Sequence, residues 1–339
     1  MTGEVRLLVT AVGSELAFSV LKAARRAELP LRLFGCDMRP QVVGRYWCHG
    51  FATLPPASCE DEYLKALGEL VRREGIQAVV PTADAELPVL ARHKEELAAE
   101  SGCRVLVNPP EELARFSDKW RAAQWYEEQG IPAPRTLKPE HPDQLEAASR
   151  ELGLPLVLKP RVGGGSRHLF VVHSLEELRR CFPVVPDPVL QQYLPPEEDG
   201  DEYTAGTYRR RDGEVYVIIL RRVLKFGMTN YARSVVDRPD LEEFCRGVIQ
   251  KTSLVGSNNI QFRIGPQGPQ VVEINPRFSG TTGIRARCGF NDLEMWLREE
   301  LDLGRPQAPV IKELLVMRYM EELYLEPAAG GWGLMAGGG

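Results

Sequence analysis

The chain has 339 residues, of which 43% are hydrophobic and 26% are charged, and its net charge is −5. This ordinary globular composition excludes collagen, a disordered tail protein and a coiled-coil rod, and the length suggests two or three domains. The acidic balance argues against a dedicated nucleic-acid binder. No apolar run is long enough to cross a membrane, no signal-peptide pattern opens the chain, and the seven scattered cysteines contain no C-x-x-C pair. We therefore expect a cytoplasmic protein with no membrane partner, and the composition leaves a homo-oligomer open.

Strands and helices alternate through the first third of the chain. The strand-like runs lie at residues 5–10, 31–37, 78–82 and 104–108, and the helical patterns lie at residues 15–28, 63–74 and 86–99. Such alternation predicts βαβ units and a parallel sheet, and hence an α/β domain over residues 1–112. The segment Val12-Gly13-Ser14 lacks the full G-x-G-x-x-G pattern, so it is only a weak indication of a dinucleotide cofactor.

The second half of the chain has a different texture. Strand-like runs at 154–160 and 169–173 flank a glycine-rich loop, which predicts a hairpin rather than a βα unit. Further strand-like runs lie at residues 189–194, 202–208, 215–224, 259–264 and 270–275, with a loop beginning at Phe226. These runs predict an α+β region with a mainly antiparallel sheet. The glycine-rich stretch at the C-terminus is expected to be a flexible tail, and a tail that docks into the protein's own site as a peptide mimic is the alternative.

Three groups of residues carry chemical signals. The first is Lys159 followed by the glycine loop Gly163-Gly164-Gly165-Ser166, because a fixed cation beside close-approaching backbone N–H groups suits phosphates. An ordinary hairpin is the alternative reading of this group.

The second group is Gln261 with Glu273, Asn275 and Arg277. Strand alternation brings Glu273 and Asn275 to one face, which Gln261 can join from a neighbouring strand. Three side-chain oxygens on one face suit Mg²⁺, and Arg277 can take a phosphate oxygen in fork geometry. A solvated polar strand face is the alternative.

The third group is the run from Gln191 through Gln192 to Leu194, with Glu202 beyond it. A hinge strand can offer backbone C=O and N–H to an adenine edge, and an acidic residue beyond it can bind ribose hydroxyls. Glu202 could equally be a surface strand residue.

The order of these groups, with Asp118-Lys119 before them, resembles the ATP-grasp superfamily. The similarity is greatest to the branch that holds the carbamoyl-phosphate synthetase large subunit and amino-acid ligases such as the pyrrolysine-pathway ligase. It depends most on Val271-Val272-Glu273-Ile274-Asn275-Pro276-Arg277-Phe278-Ser279-Gly280 and on Ser117-Asp118-Lys119 with Gly130-Ile131-Pro132-Ala133-Pro134. The resemblance implies an α/β domain at 1–112 followed by an ATP-grasp fold whose two subdomains grip ATP. These are a small subdomain at 113–190 with a glycine-rich flap, a large one at 191–325 with the metal site, and a tail at 326–339.

The resemblance also implies roles for individual residues. Lys119 and Lys159 would bind phosphates, the flap would cover them, and Arg277 would stabilise the transferring phosphoryl group. Gln191, Gln192 and Leu194 would bind adenine, and Glu202 would bind the ribose. Gln261, Glu273 and Asn275 would hold one or two Mg²⁺ ions, with Mn²⁺ as the alternative. This sequence departs from the common family pattern in having Gln at 191 and at 261 and Ser166-Arg167-His168 at the end of the flap.

A carboxylate substrate needs a cationic partner, and Arg suits bidentate binding. The candidates are Arg221, Arg222, Lys225, Arg233, Arg285 and Arg287, of which we select Arg285 first and Arg233 second. The resulting hypothesis is an ADP-forming ligase that joins a carboxylate to an amine through an acylphosphate, with amino acids or peptides as substrates. The alternatives are a carbamoyl-phosphate-synthetase-like enzyme or subunit and a non-catalytic nucleotide-binding regulator.

Overall fold

The computed structural model describes residues 3–165, 167–196 and 201–325. Ser166 and the predicted tail at 326–339 lie outside the described residues. The chain divides into two units: unit 1 holds the described residues up to 107, residues 278–310 and the described residues from 317 onward, and unit 2 holds 108–277 and 311–316. Among the described residues, no helix is both long and apolar enough to cross a membrane.

Unit 1 is built on a five-stranded parallel sheet with the strand order β3-β2-β1-β4-β5. Its strands are β1 (Val5–Val9), β2 (Leu31–Asp37), β3 (Gly50–Thr53), β4 (Ala78–Val80) and β5 (Arg104–Val105), and its first helices are α1 (Glu15–Ala24), α2 (Glu60–Glu74) and α3 (Glu86–Ser101). The parallel sheet that the alternating pattern predicted is confirmed, and β3 is an additional edge strand. The central strand β1 carries the fully buried side chains of Leu7, Leu8 and Val9, as expected for a parallel sheet covered by helices.

Polar groups close the carboxyl edge of this parallel sheet. The Asp37 carboxylate accepts the N–H of Gly13 at 2.8 Å, and Ser14 caps α1 by accepting the N–H of Ala17. A Cβ at position 13 would lie 2.7 Å from the Val42 side chain, so only glycine fits the turn that begins α1.

Glu86 is a carboxyl group buried in unit 1, where it accepts hydrogen bonds from the Thr10 hydroxyl and the Ala83 N–H. Burial raises the pKa of Glu86, and the hydrogen bond from Thr10 opposes that shift only in part. The interior of this unit therefore favours the neutral acid.

We predict that Glu86→Gln stabilises the protein more at about pH 8 than at about pH 5. The pKa of Glu86 is higher in the folded than in the unfolded chain. The stability that the neutral Glu86 side chain contributes is therefore fully present below the unfolded-state pKa. It is lost as the pH rises through the folded-state pKa. Thermal unfolding of both proteins at the two pH values measures the difference. An equal difference at both values would contradict the prediction.

The first part of unit 2 is a four-stranded antiparallel sheet with the order β6-β9-β7-β8. Its elements are α4 (Pro110–Ser117), α5 (Lys119–Glu128), β6 (Thr136–Leu137), α6 (Leu145–Leu152), β7 (Leu156–Pro160), β8 (Phe170–Val172), α7 (Leu175–Cys181) and β9 (Pro188–Gln192). The predicted hairpin is confirmed, since β7 pairs with β8 on either side of the glycine-rich loop. Leucines from α6, α7, β7 and β9 form the core of this part.

The second part of unit 2 is a six-stranded sheet with the order β14-β13-β10-β11-β12-β15. Its elements are β10 (Asp201–Arg209), β11 (Val215–Lys225), β12 (Met228–Val235), α8 (Pro239–Gln250), β13 (Gly256–Gly265), β14 (Gly268–Asn275) and β15 (Leu315–Met317). The segment that was expected to be a loop after Phe226 is mostly β12. Phe226 and Gly227 adopt positive φ angles of 54° and 74°, which reverse the chain at once into this strand.

After β14 the chain enters unit 1 and forms α9 (Thr282–Arg287) and α10 (Asp292–Glu300). The Ser19 hydroxyl of α1 donates to the Gly280 carbonyl at 2.9 Å and accepts the Gly283 N–H at 2.8 Å. These bonds attach the segment that follows β14 to the N-terminal sheet domain. Residues 278–310 therefore group with unit 1, although the predicted large subdomain ran from 191 to 325.

Candidate functional site

The beginning of α5 is tied to the end of β7. Asp118 caps α5 by accepting the N–H groups of Trp120 and Arg121, and its carboxylate also pairs with the Arg161 guanidinium at 2.6 Å. Burial opposes ionisation of Asp118, but the hydrogen bonds from Arg161 and the backbone outweigh it and lower the pKa of the carboxyl. This junction fixes the position of Lys119, the first residue of α5.

Lys119 reaches the base of the glycine-rich loop, where its Nζ donates to the Gly163 carbonyl at 2.6 Å. Gly163 and Gly165 have φ angles of 125° and 69°, in the region that glycine tolerates best. No atom lies within 4 Å of a Cβ built at either glycine, so the described part of the loop is open to a ligand. Ser166, predicted to contact phosphate, lies outside the described residues.

Lys159 on β7 is buried and donates from Nζ to Oε1 of Gln191 on β9 at 2.7 Å. The other end of the Gln191 amide donates to the Thr136 hydroxyl at 3.0 Å, which fixes the orientation of the amide. The pKa of Lys159 is lowered to about 8, chiefly by burial and also by the charges of Lys119 and Arg263, while the carboxylate of Glu273 opposes the shift. The two lysines and Glu273 therefore share one electrostatic environment.

The end of β9 leads into the segment predicted to meet adenine. Gln192 is exposed and Leu194 is buried, and the Leu194 carbonyl accepts a hydrogen bond from Arg263 of β13. Glu202 on β10 lies directly opposite Arg222 on β11, and Oε1 of Glu202 accepts from both Nε and Nη2 of that guanidinium.

The predicted metal ligands occupy one face of the six-stranded sheet. Gln261 of β13 lies opposite Glu273 of β14, and Asn275 follows two residues later on the same face. All three side chains are partly exposed. β14 ends at Asn275, and the N–H of Arg277 donates to the Asn275 carbonyl at 2.8 Å in a tight turn.

This donor set fits Mg²⁺, which prefers hard oxygen ligands and completes its shell with water and phosphate. It supplies one carboxylate and two amide oxygens. Among the described residues, no group of three or more His, Cys, Asp or Glu side chains could hold a metal ion. The set is therefore weakly anionic and suits an ion that arrives with phosphates.

The structure corrects both arginines that the sequence selected for the carboxylate substrate. Arg285 belongs to unit 1, where it has no exposed surface and pairs with Asp292 at 3.0 Å. Its guanidinium is enclosed in the interior of unit 1 and is engaged by the Asp292 carboxylate.

Arg233 lies on the wrong face of the sheet. Across the paired strands, Gln261 lies opposite Thr204, and Thr204 lies opposite Leu220 of β11. Arg233 lies opposite Arg221, which is the next residue along β11. Because neighbouring residues of a strand point to opposite faces, Arg233 faces away from Gln261 and Glu273.

Sequence reasoning missed Arg263 and listed Arg222 only as a candidate partner of the carboxylate substrate. Arg263 stands two residues after Gln261 and so shares its face, which strand alternation alone could have indicated. Its guanidinium lies 3.8 Å from Glu202 and 5.9 Å from the centre of the Tyr193 ring. The pairing of Arg222 with Glu202 depends on cross-strand register, for which the sequence gave no signal.

Unit 2 thus combines Lys119 from α5 and Lys159 from β7 with a glycine-rich loop and a strand face of oxygen side chains. Two family models match the chain: "ATP-grasp in the biosynthetic pathway with Ter operon" over residues 185–323 and "PylC-like, N-terminal domain" over residues 7–106. The matches therefore place an ATP-grasp model on the second half of the chain and a PylC-like model on its N-terminal part, as the resemblance of the sequence motifs predicted.

The chain is 25% identical to the carbamoyl phosphate synthase large chain of Rubrobacter xylanophilus, over 78% of this chain and 24% of that one. It is 23% identical to the C-terminal section of the Methanopyrus kandleri enzyme, over 70% of this chain and 45% of the other. It therefore spans less than half of these relatives.

Solved structures share the fold at lower identity. The ADP complex of N5-carboxyaminoimidazole synthetase from Staphylococcus aureus superposes with a TM-score of 0.74 at 14% identity, covering 93% of this chain and 82% of that one. A biotin carboxylase complex from Campylobacter jejuni gives a TM-score of 0.71 at 14% identity, covering 90% of this chain and 73% of that one.

The lowered pKa of Lys159 predicts that nucleotide binding weakens in alkaline solution. A bound phosphate favours the charged ammonium, so the Kd for Mg-ADP should rise above pH 8, the pKa of Lys159, approaching roughly tenfold per pH unit. Lys159→Arg should bind with little pH dependence over the same range, because a guanidinium stays charged. Calorimetric titration across pH measures both, and parallel profiles for the two proteins would contradict the prediction.

The buried pair in unit 1 predicts a structural role for Arg285. Asp292→Asn leaves a buried guanidinium without its counter-charge and should cost about 3 kcal/mol of stability. The matched control is Asp240→Asn, which removes an exposed partner of Arg238 and should leave the unfolding midpoint nearly unchanged. Denaturant unfolding measures both variants, and an Asp292→Asn protein as stable as the control would refute this role.

Proposed function

We propose that the protein is an ATP-dependent carboxylate–amine ligase that forms an amide or peptide bond through an acylphosphate and releases ADP and phosphate. The observation that carries the proposal is the convergence of Lys159, Lys119 and Glu273. Lys119 comes from α5, Lys159 comes from β7 and Glu273 comes from β14. The charges of Lys119 and Glu273 both act on the Lys159 ammonium. Cations opposite a metal-binding carboxylate suit a polyphosphate with its divalent ion.

The phosphate end of the nucleotide is assigned to the lysine side of this site. Lys119 and Lys159 bind phosphate oxygens, and the glycines at 163–165 supply backbone N–H groups above them. Lys119 would exchange its bond with the Gly163 carbonyl for a phosphate. Arg277, just after the strand of oxygen ligands, neutralises charge on the phosphoryl group in transfer.

The adenosine end is assigned to the segment after β9 and to β10. Gln192 and Leu194 meet the base edge through backbone atoms, and Gln191 meets it through its side chain. Glu202 accepts the ribose hydroxyls, because a carboxylate that is held by Arg222 at one oxygen keeps acceptor sites free.

Gln261, Glu273 and Asn275 would hold the divalent ion. Mg²⁺ bound there would neutralise phosphate charge during transfer. The assignment follows the oxygen chemistry and the shared face of these side chains.

The reaction has two bond exchanges. An oxygen of the substrate carboxylate attacks the γ-phosphorus while the bond from that phosphorus to the β–γ bridging oxygen breaks, which gives an acylphosphate and ADP. The amine nitrogen then attacks the acyl carbon, the bond to the phosphate oxygen breaks, and the nitrogen loses a proton. Water must be kept out between the two steps, and we assign the covering of the phosphates to the loop at 163–165.

The substrates are proposed to be a small carboxylate and a small amine, with amino acids or peptides as the first choice. The PylC-like N-terminal match and the curated carbamoyl phosphate synthases support nitrogen chemistry on an activated carboxyl group. The second candidate is a carbamoyl-phosphate-type reaction with bicarbonate, favoured by the similarity to those synthases. A homodimer is also proposed, because a solved neighbour is described as a biotin carboxylase domain dimer.

Product analysis tests the proposed function. With Mg-ATP and a pool of amino acids and short peptides, we expect ADP and phosphate only when the pool or bicarbonate is present. Glu273→Gln should lower turnover at least about 100-fold without loss of fold. The matched control is Glu242→Gln on α8, which replaces another half-buried glutamate of unit 2 and should keep full turnover.

Two outcomes would overturn the proposal. AMP and pyrophosphate as products would indicate an adenylated intermediate and exclude the acylphosphate. Equal turnover by Glu273→Gln and Glu242→Gln would remove the assigned metal site.

A further inference from the structure

Arg263 of β13 contacts two residues that follow β9 and one residue of β10. Its Nη1 donates to the Leu194 carbonyl, its Nη2 lies 3.8 Å from Oε2 of Glu202, and its guanidinium carbon lies 5.9 Å from the Tyr193 ring centre. This one side chain therefore reaches both Leu194, which is assigned to adenine, and Glu202, which is assigned to ribose.

The charge balance of the fold does not require this arginine. Glu202 already has a counter-ion, since Arg222 donates twice to its other oxygen. Phe262 lies opposite Tyr203, so strand register accounts for Arg263 beside Glu202, but it does not account for the bond of Arg263 to the Leu194 carbonyl. A partly exposed arginine also loses side-chain entropy when it is held by three contacts. The position of these contacts therefore points to a role for Arg263 in holding the residues that bind a ligand.

We propose that Arg263 is a positioning residue for the nucleoside half of the bound nucleotide. It holds the Leu194 peptide and the Glu202 carboxylate at the spacing at which a base edge and a ribose are received together. The inference rests on the proposed nucleotide site and deepens it.

Arg263 also connects the two ends of the site through one strand. It stands two residues from Gln261 on the same face of β13, so the nucleoside end and the ion-binding end share a rigid element. The hydrogen bond and the ring contact of Arg263 go to the nucleoside side, and its charge also acts on Lys159 at the phosphate side. Loss of Arg263 should therefore weaken recognition of the nucleoside more than recognition of the phosphates.

The experiment compares ADP, 2′,3′-dideoxy-ADP and inorganic tripolyphosphate by calorimetric titration in the presence of Mg²⁺. The proteins are the wild type, Arg263→Leu, Arg263→Lys and the control Arg246→Leu. Arg246 is similarly exposed, also donates to a backbone carbonyl and also pairs with a glutamate, but it lies on α8. This control removes the same kind of contact at a place remote from β9.

We expect Arg263→Leu to bind ADP about tenfold more weakly and to lose clearly less affinity for tripolyphosphate than for ADP. Removing the ribose hydroxyls should weaken wild-type binding and have little further effect in Arg263→Leu. Arg263→Lys keeps the charge but cannot span two acceptors in a fork, so it should also lose ADP affinity. Arg246→Leu should bind all three ligands like the wild type.

Unchanged ADP affinity in Arg263→Leu, or an equal loss for tripolyphosphate, would overturn the inference. If Arg263→Leu does not fold, Arg263→Lys decides the matter by the same comparison. If the wild type binds neither ADP nor tripolyphosphate, the proposed nucleotide site itself fails, which is a distinct result.

Discussion

The burial of the Lys159 ammonium is the constraint on which the candidate site depends. Removing a charge from water costs several kcal/mol unless nearby groups compensate. Here Gln191 accepts one hydrogen bond, and Glu273 contributes an opposing charge from the other sheet of unit 2. The compensation is partial, since burial still lowers the pKa of Lys159 to about 8. The four-stranded sheet and the strand of oxygen ligands are thus coupled through one side chain.

Because Gln191 is uncharged, it compensates only part of the cost of burying the Lys159 ammonium. A carboxylate at that position would hold the ammonium fully charged, whereas an amide offers only an acceptor dipole. The amide is in turn fixed by Thr136, so its oxygen stays directed at Lys159. Lys159 therefore has a pKa of about 8, and an arriving phosphate would favour its charged form.

Arginine–carboxylate pairs hold both ends of the site. Arg161 and Asp118 join the end of β7 to the start of α5, which carries Lys119. Arg222 and Arg263 pair with Glu202, and Arg263 also donates to the Leu194 carbonyl. Each pair connects residues that are far apart in the sequence.

The sequence by itself determined the regular elements and their local chemistry. Alternating strand and helix patterns predicted the parallel sheet of unit 1, and the apolar runs around Gly163 predicted the hairpin, because both depend on short-range periodicity. The period of two along β14 likewise grouped Glu273 with Asn275. Only the tertiary structure decided which charged side chains are available. It enclosed Arg285 against Asp292, turned Arg233 to the far face and brought Arg263 to Leu194. Burial and cross-strand register arise from residues distant in sequence, and a local pattern does not contain them.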